Sequence, residues 1–165
     1  MNIYYTGSNK NSSSATGQLI AKIHNNFKFT DYDGTPTIFV TDGEVVILHT
    51  RHQISETEWN DITMRFPANI ENKRYEFQSD DVLQPPTFIE SWADPDGGSW
   101  HRPYYPKKDV GHITFDFNFK VGTLKATFNF TIMDGIKSHQ VIGEINVENL
   151  EHIKPGQRHL EKLFE

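Results

Sequence analysis

The sequence predicts a mainly β fold, an antiparallel meander forming a small β-barrel or a two-sheet sandwich. Three observations carry this. Residues 111–132 alternate between apolar and polar side chains on both sides of a short turn. Asp42-Gly43 separates two runs of β-branched and aromatic residues. Turn signals recur at short intervals elsewhere, the pattern of short strands joined by hairpins. The 165 residues are a one-domain length, so 1–165 is read as a single β domain.

Residues 6–17 are rich in Ser, Asn, Thr and Gly and read as a flexible segment. From Gln18 to His24 the pattern alternates, with Leu19, Ala21 and Ile23 on one face of a half-buried strand. Pro36–Thr41 and Glu44–His49 flank Asp42-Gly43. As a two-residue type I′ loop, this dipeptide sets Val40 opposite Val45, Phe39 opposite Val46 and Ile38 opposite Ile47. Both faces of that hairpin are apolar, which places it centrally.

Ser55-Glu-Thr-Glu58 fits a helix capping box, and Ile54 with Trp59 fits a hydrophobic staple around it. A short helix is therefore expected near 55–62. Ile62, Met64 and Phe66 then alternate as a strand ending before Pro67. Arg74–Gln78 and Thr87–Trp92 are further strand candidates.

In the 111–132 hairpin, Ile113, Phe115, Phe117 and Phe119 share one face. Leu124, Ala126, Phe128, Phe130 and Ile132 share a face of the next strand. A one-residue slip would turn a whole apolar set outward, so the loop must hold an even number of residues. A Val121-Gly122 loop satisfies parity and pairs Phe119 with Leu124 and Phe117 with Ala126. The opposite face is polar throughout, from His112 to Lys120 and from Thr123 to Thr131. It meets water or a polar ligand cavity. Met133-Asp134-Gly135 turns the chain into a third alternating strand with Val141, Gly143, Ile145 and Val147. Arg158–Glu165 reads as a short C-terminal helix with Leu160, Leu163 and Phe164 on one side.

Composition narrows the function classes. Cys is absent, which excludes disulfides, thiolate metal sites and a cysteine nucleophile. The formal charge of −6, with Lys and Arg scattered, argues against nucleic acid as a partner. No apolar run approaches the roughly 18 residues of a membrane span. The N-terminus has no basic start followed by an apolar stretch, so no signal peptide is expected. A cytoplasmic or unconventionally released protein is the corresponding expectation. No cofactor motif occurs: Gly-rich phosphate loops, Gly-x-Ser-x-Gly and His-Glu-x-x-His are all missing.

The most unusual stretch is Glu90–Asp109. It holds Trp92, Trp100, Tyr104 and Tyr105 among Pro95, Gly97, Gly98, Pro103 and Pro106. The prolines and glycines point to a long aromatic loop over 92–109. Its rings suit flat platforms for a sugar or anchors at a partner, because an apolar ring carries a polar tip. The alternative is that they fold back over one end of the barrel. Asp94-Pro-Asp96-Gly97 resembles the opening of a calcium loop, but the last ligand position of that pattern falls on Tyr105. A simple turn accounts for it, leaving Asp94 and Asp96 as weak metal candidates.

Among the histidines, His49 and His52 sit three apart on a strand and so face opposite ways. His112 and Asp116 share a face but lie about 13 Å apart along it.

These readings favour a non-enzymatic binding module. Trp92, Trp100, Tyr104 and Tyr105 would contact a glycan, lipid headgroup or protein, with His101 and Arg102 as hydrogen-bond donors. Two alternatives stand beside it. One is a small barrel isomerase or hydrolase using His49 or His112 with a nearby acid. The other is a structural protein assembling through exposed strand edges.

Overall fold

The computed structural model describes the backbone of residues 4–6 and all of residues 14–24, 31–78 and 83–154. It is mainly β, with twelve strands and no helix among the described residues. They are β1 (Tyr4–Thr6), β2 (Thr16–Ile23), β3 (Tyr32–Thr41), β4 (Val45–Gln53), β5 (Glu58–Pro67) and β6 (Arg74–Glu76). There follow β7 (Thr87–Ala93), β8 (Ser99–Tyr104), β9 (Pro106–Asn118), β10 (Thr123–Asp134), β11 (Lys137–Glu148) and β12 (Glu151–His152). The strand order is β1-β8-β7-β5-β4-β3-β2-β11-β10-β9-β6, antiparallel throughout, and β12 adds a short parallel pairing to β3. The expected central place of the 36–49 hairpin is found: β3 and β4 lie mid-sheet.

Two segments change partner along their length. β3 pairs β2 through Tyr32–Gly34 and β4 from Thr35 onward. β8 passes after Tyr105 directly into β9, and the Met133 amide donates to the Tyr105 carbonyl at that corner. The sheet folds over on itself. Phe66 of β5 lies 5.0 Å from Phe115 and 5.2 Å from Phe117 of β9, ring to ring, although β5 and β9 share no hydrogen bonds. One apolar cluster fills the space, built from the inward positions of β2–β5 and β7–β11. Tyr32 belongs to it: its ring lies over Gly34, where a Cβ would come within 2.4 Å. Its hydroxyl reaches Thr50 Oγ1 at 2.8 Å and accepts the Ile62 amide at 3.2 Å. Burial pushes this phenol far above its usual pKa, so it stays protonated.

Four sequence expectations are corrected. No helix forms near 55–62. The Ser55 hydroxyl does accept the Glu58 amide at 3.1 Å, as a cap would. The Ile54 and Ser55 amides, however, both donate to the Glu58 carbonyl and close a tight turn into β5. The strand alternation of residues 59–66 wins, because cross-strand partners wait on both sides.

The second correction is the 92–109 loop, which is strand except at its tip. Asp94–Gly98 makes a hairpin turn in which the Asp94 amide donates to the Gly98 carbonyl. Gly97 takes φ +95°, as such a turn requires. Pro103 lies opposite Ile89 of β7, and among the described residues β1 pairs with β8 only from Ser99 to His101. Pro106 is the first residue of its strand, a permitted place.

The other two corrections concern register. Both hairpins keep the predicted parity but shift by two residues. Val40 faces Ile47 rather than Val45, and Phe117 faces Leu124 rather than Ala126. Side chains at the turns stabilise wider loops. The Asp42 carboxylate accepts the Glu44 and Val45 amides, and Asn118 Oδ1 accepts the Val121 amide. The predicted helix over 158–165 and most of the 6–17 segment lie outside the described residues.

Candidate functional site

The end of the sheet where β4 finishes and β5 begins is taken as upper. Inward-facing rows run across β4, β5, β7 and β8 there. Thr50, Ile62, Phe88 and Tyr104 stand opposite one another in one row. All four are essentially inaccessible, at 0 to 1% exposure. One step higher, on the same face, the row is His52, Asn60, Glu90 and Arg102. Above that stand Trp92 and Trp100, a directly opposed pair.

The upper row is knit together. Glu90 Oε2 accepts the Tyr104 hydroxyl at 2.9 Å and Arg102 Nη1 at 3.3 Å. The Arg102 guanidinium lies 5.4 Å from the centre of the Trp92 ring. His52 packs edge-on against Tyr32 with ring centres 5.5 Å apart. Its Nδ1 is buried without a hydrogen-bond partner. At the rim, the Trp100 indole donates to Asp94 Oδ2 at 2.7 Å, while Asp94 Oδ1 accepts the Asp96 amide at 2.8 Å. These bonds hold the exposed Asp94 carboxyl below its usual pKa. Both of its oxygens serve the turn. No group of three or more metal-ligating side chains occurs among the described residues.

The structure divides the residues singled out from the sequence. Trp92, Trp100, Arg102 and Tyr104 share the inner face, while His101 points the other way. Tyr104 is core, at 0% exposure, and its ring packs on Phe88. Tyr105 sits at the corner between β8 and β9, 60% exposed. Trp100 is 38% exposed. Tyr104 is thus packed in the core, and Trp100, on the same inner face, is partly exposed at the rim.

His101 belongs to a second cluster on the outer face of the same strands. Its centre is Asp61, whose side chain is 3% exposed. Arg51 donates to it through Nε at 2.9 Å and Nη2 at 3.2 Å, and the Trp59 indole donates at 3.1 Å. His49 Nε2 stands 3.5 Å from Asp61 Oδ1, and its Nδ1 meets Thr63 Oγ1 at 2.7 Å. Burial raises the Asp61 pKa, but His49 and Arg51 outweigh it and hold the carboxyl below its usual range. His101 pairs with Ser91 at 2.9 Å, and burial pulls its pKa down. Ser91 is 1% exposed. Both ring nitrogens of His49 are engaged. The cluster fastens β4, β5, β7 and β8 side to side.

No protein-family model, curated protein or solved structure matches the chain. Function is therefore argued from the two faces of β4–β8. No helix among the described residues is long and apolar enough to cross a membrane.

His52, Asn60, Glu90, Asp61 and Arg51 were not nominated from the sequence as members of either group. One signal was present. The alternation of Ile62, Met64 and Phe66, extended back two residues, puts Asn60 on the core face and Asp61 on the other. The capping-box pattern at Ser55 concealed it.

Proposed function

We propose that the protein is a non-enzymatic binding module that takes an uncharged glycan at the upper, inner end of a barrel-like fold. The folding-over of the sheet at β3 and at the β8–β9 corner supports the barrel. The observation that carries the reading is the opposed Trp92–Trp100 pair set directly above the His52–Asn60–Glu90–Arg102 row. Indole faces offer apolar area to a sugar ring, and the row beneath supplies donors and acceptors. Glu90 neutralises Arg102 locally, which favours an uncharged ligand over an anion. The sequence expectation of a contact surface at 92–105 is kept in part: Trp92, Trp100 and Arg102 remain, while Tyr104 becomes its floor.

A glycan-array screen of the full chain, followed by titration of the hits, tests this. Trp92→Ala and Trp100→Ala are each expected to weaken binding about tenfold, the worth of one well-placed aromatic contact. Unchanged affinity in both variants would refute the placement.

A further inference from the structure

We propose that His52 and Asn60 form the deep, specificity-determining end of this site and select an acetamido group, so that the ligand is an N-acetylated amino sugar. The inference rests on the glycan-binding reading.

Depth comes from the gradient of exposure along the face. Trp100 at the rim is 38% exposed. The side chains of Arg102 and Glu90 are 30% and 29% exposed. Asn60, the next residue along the row, is 7% exposed. His52 stands directly opposite Asn60 on β4. The polar row crosses four strands, roughly 14 Å at the usual strand spacing. Exposure is lowest at Asn60, and His52 beside it is half-buried with its Nδ1 shut away from solvent.

The chemistry at the His52–Asn60 end is particular. Buried polar atoms in folded proteins are nearly always hydrogen-bonded, and an exception calls for a partner not yet present. His52 Nδ1 is such an exception. Its neighbour Asn60 offers an amide oxygen and an amide nitrogen, one acceptor and two donors. The walls are apolar: Tyr32 lies edge-on to His52, and Phe88 lies edge-on to Tyr32 at 6.4 Å. A ligand group matched to this end needs one donor, one acceptor and a small apolar part. An acetamide has an N–H, a C=O and a methyl. A lone hydroxyl would satisfy the imidazole and leave the aromatic walls without contact.

The test is calorimetric titration of the full-length chain with N-acetylglucosamine and with glucose. The wild-type chain is expected to bind the acetamido sugar at least about tenfold more tightly, as a site built around buried polar groups discriminates. His52→Phe and Asn60→Ala are expected to abolish that preference, the loss falling chiefly on N-acetylglucosamine. Trp100→Ala is expected to weaken both sugars alike. Equal binding of the two sugars by the wild-type chain overturns the inference and leaves the glycan reading intact, without requiring any variant to fold. So does a preference that survives both His52→Phe and Asn60→Ala. If neither sugar nor any arrayed glycan binds, the glycan reading itself fails, and the inference with it.

Discussion

Asp61→Asn is expected to lower stability at neutral pH by about 2–3 kcal/mol. The carboxylate is 3% exposed and receives two bonds from Arg51 and one from Trp59, with His49 at 3.5 Å. Asparagine keeps one acceptor oxygen and turns the other into a donor. Whichever way the amide turns, a donor then faces Arg51 Nε, or else Trp59 Nε1 and Arg51 Nη2. Losing a hydrogen bond to a charged group costs roughly 1.5–3 kcal/mol. Arg51 is 37% exposed and recovers part of its hydration, which keeps the total below that of a fully buried broken pair. At roughly 2–4 °C per kcal/mol for a chain of this size, the thermal midpoint should fall by about 4–12 °C. The pH dependence has a definite sign. The folded pKa of Asp61 is depressed below the unfolded value of about 3.9. Its stabilisation is therefore complete above about pH 4 and is lost as pH falls through the folded pKa. The variant lacks this contribution at every pH. Unfolding followed by circular dichroism in both proteins, from neutral to acid pH, should show a gap that narrows on acidification. Equal midpoints at pH 7, or a gap that stays constant into strong acid, would refute the reasoning.

Two further substitutions probe the packing. Gly143→Ala would place a Cβ 2.2 Å from the Ile20 carbonyl oxygen and 2.6 Å from the tip of Phe128. A loss of about 1–3 kcal/mol is expected in urea unfolding, and no loss would mean that β11 and β2 are not held this closely. Tyr104→Ala should cost about 3–5 kcal/mol, as for a fully buried aromatic, whereas Trp100→Ala should cost under about 1 kcal/mol. Similar costs for the two would contradict the division between floor and rim.

The alternation of the strands was legible in the sequence, and their pairing only modulo two. Parity is set by burial: Leu19, Ala21 and Ile23 must face inward together, and so must Ile113, Phe115 and Phe117. The shift of two residues at Asp42 and Asn118 conserves every face, so the hydrophobic pattern cannot detect it. It is decided by side-chain bonds at the turn. The strand beginning at Pro106 was illegible for a different reason: a proline is permitted at the first position of a strand, and where a strand starts depends on its neighbours. Ser55 misled because its hydroxyl caps the Glu58 amide equally well in a turn and in a helix. The candidate site was legible to the extent of its aromatic rim. Its polar row depends on four registers at once, none of them local.

That row also gives the strongest reason to treat the upper end as a site and not as the ragged edge of a core. On β4, β5, β7 and β8 the inward positions change from Thr50, Ile62, Phe88 and Tyr104 to His52, Asn60, Glu90 and Arg102 at one level. A fraying sheet end would turn polar because water reaches it, and exposure would rise together on all four strands. Here the polarity changes on all four, and exposure rises at His52, Glu90 and Arg102 but not at Asn60, which is still 7% exposed, while a nitrogen of His52 remains buried without a partner among the described residues. Buried polarity without full internal satisfaction costs stability. An apolar pair at these two positions would remove that cost and extend the core by one more layer. Keeping His52 and Asn60 there makes physical sense if something else completes their hydrogen bonds, and the open, aromatic end of the same row is the route by which it would arrive.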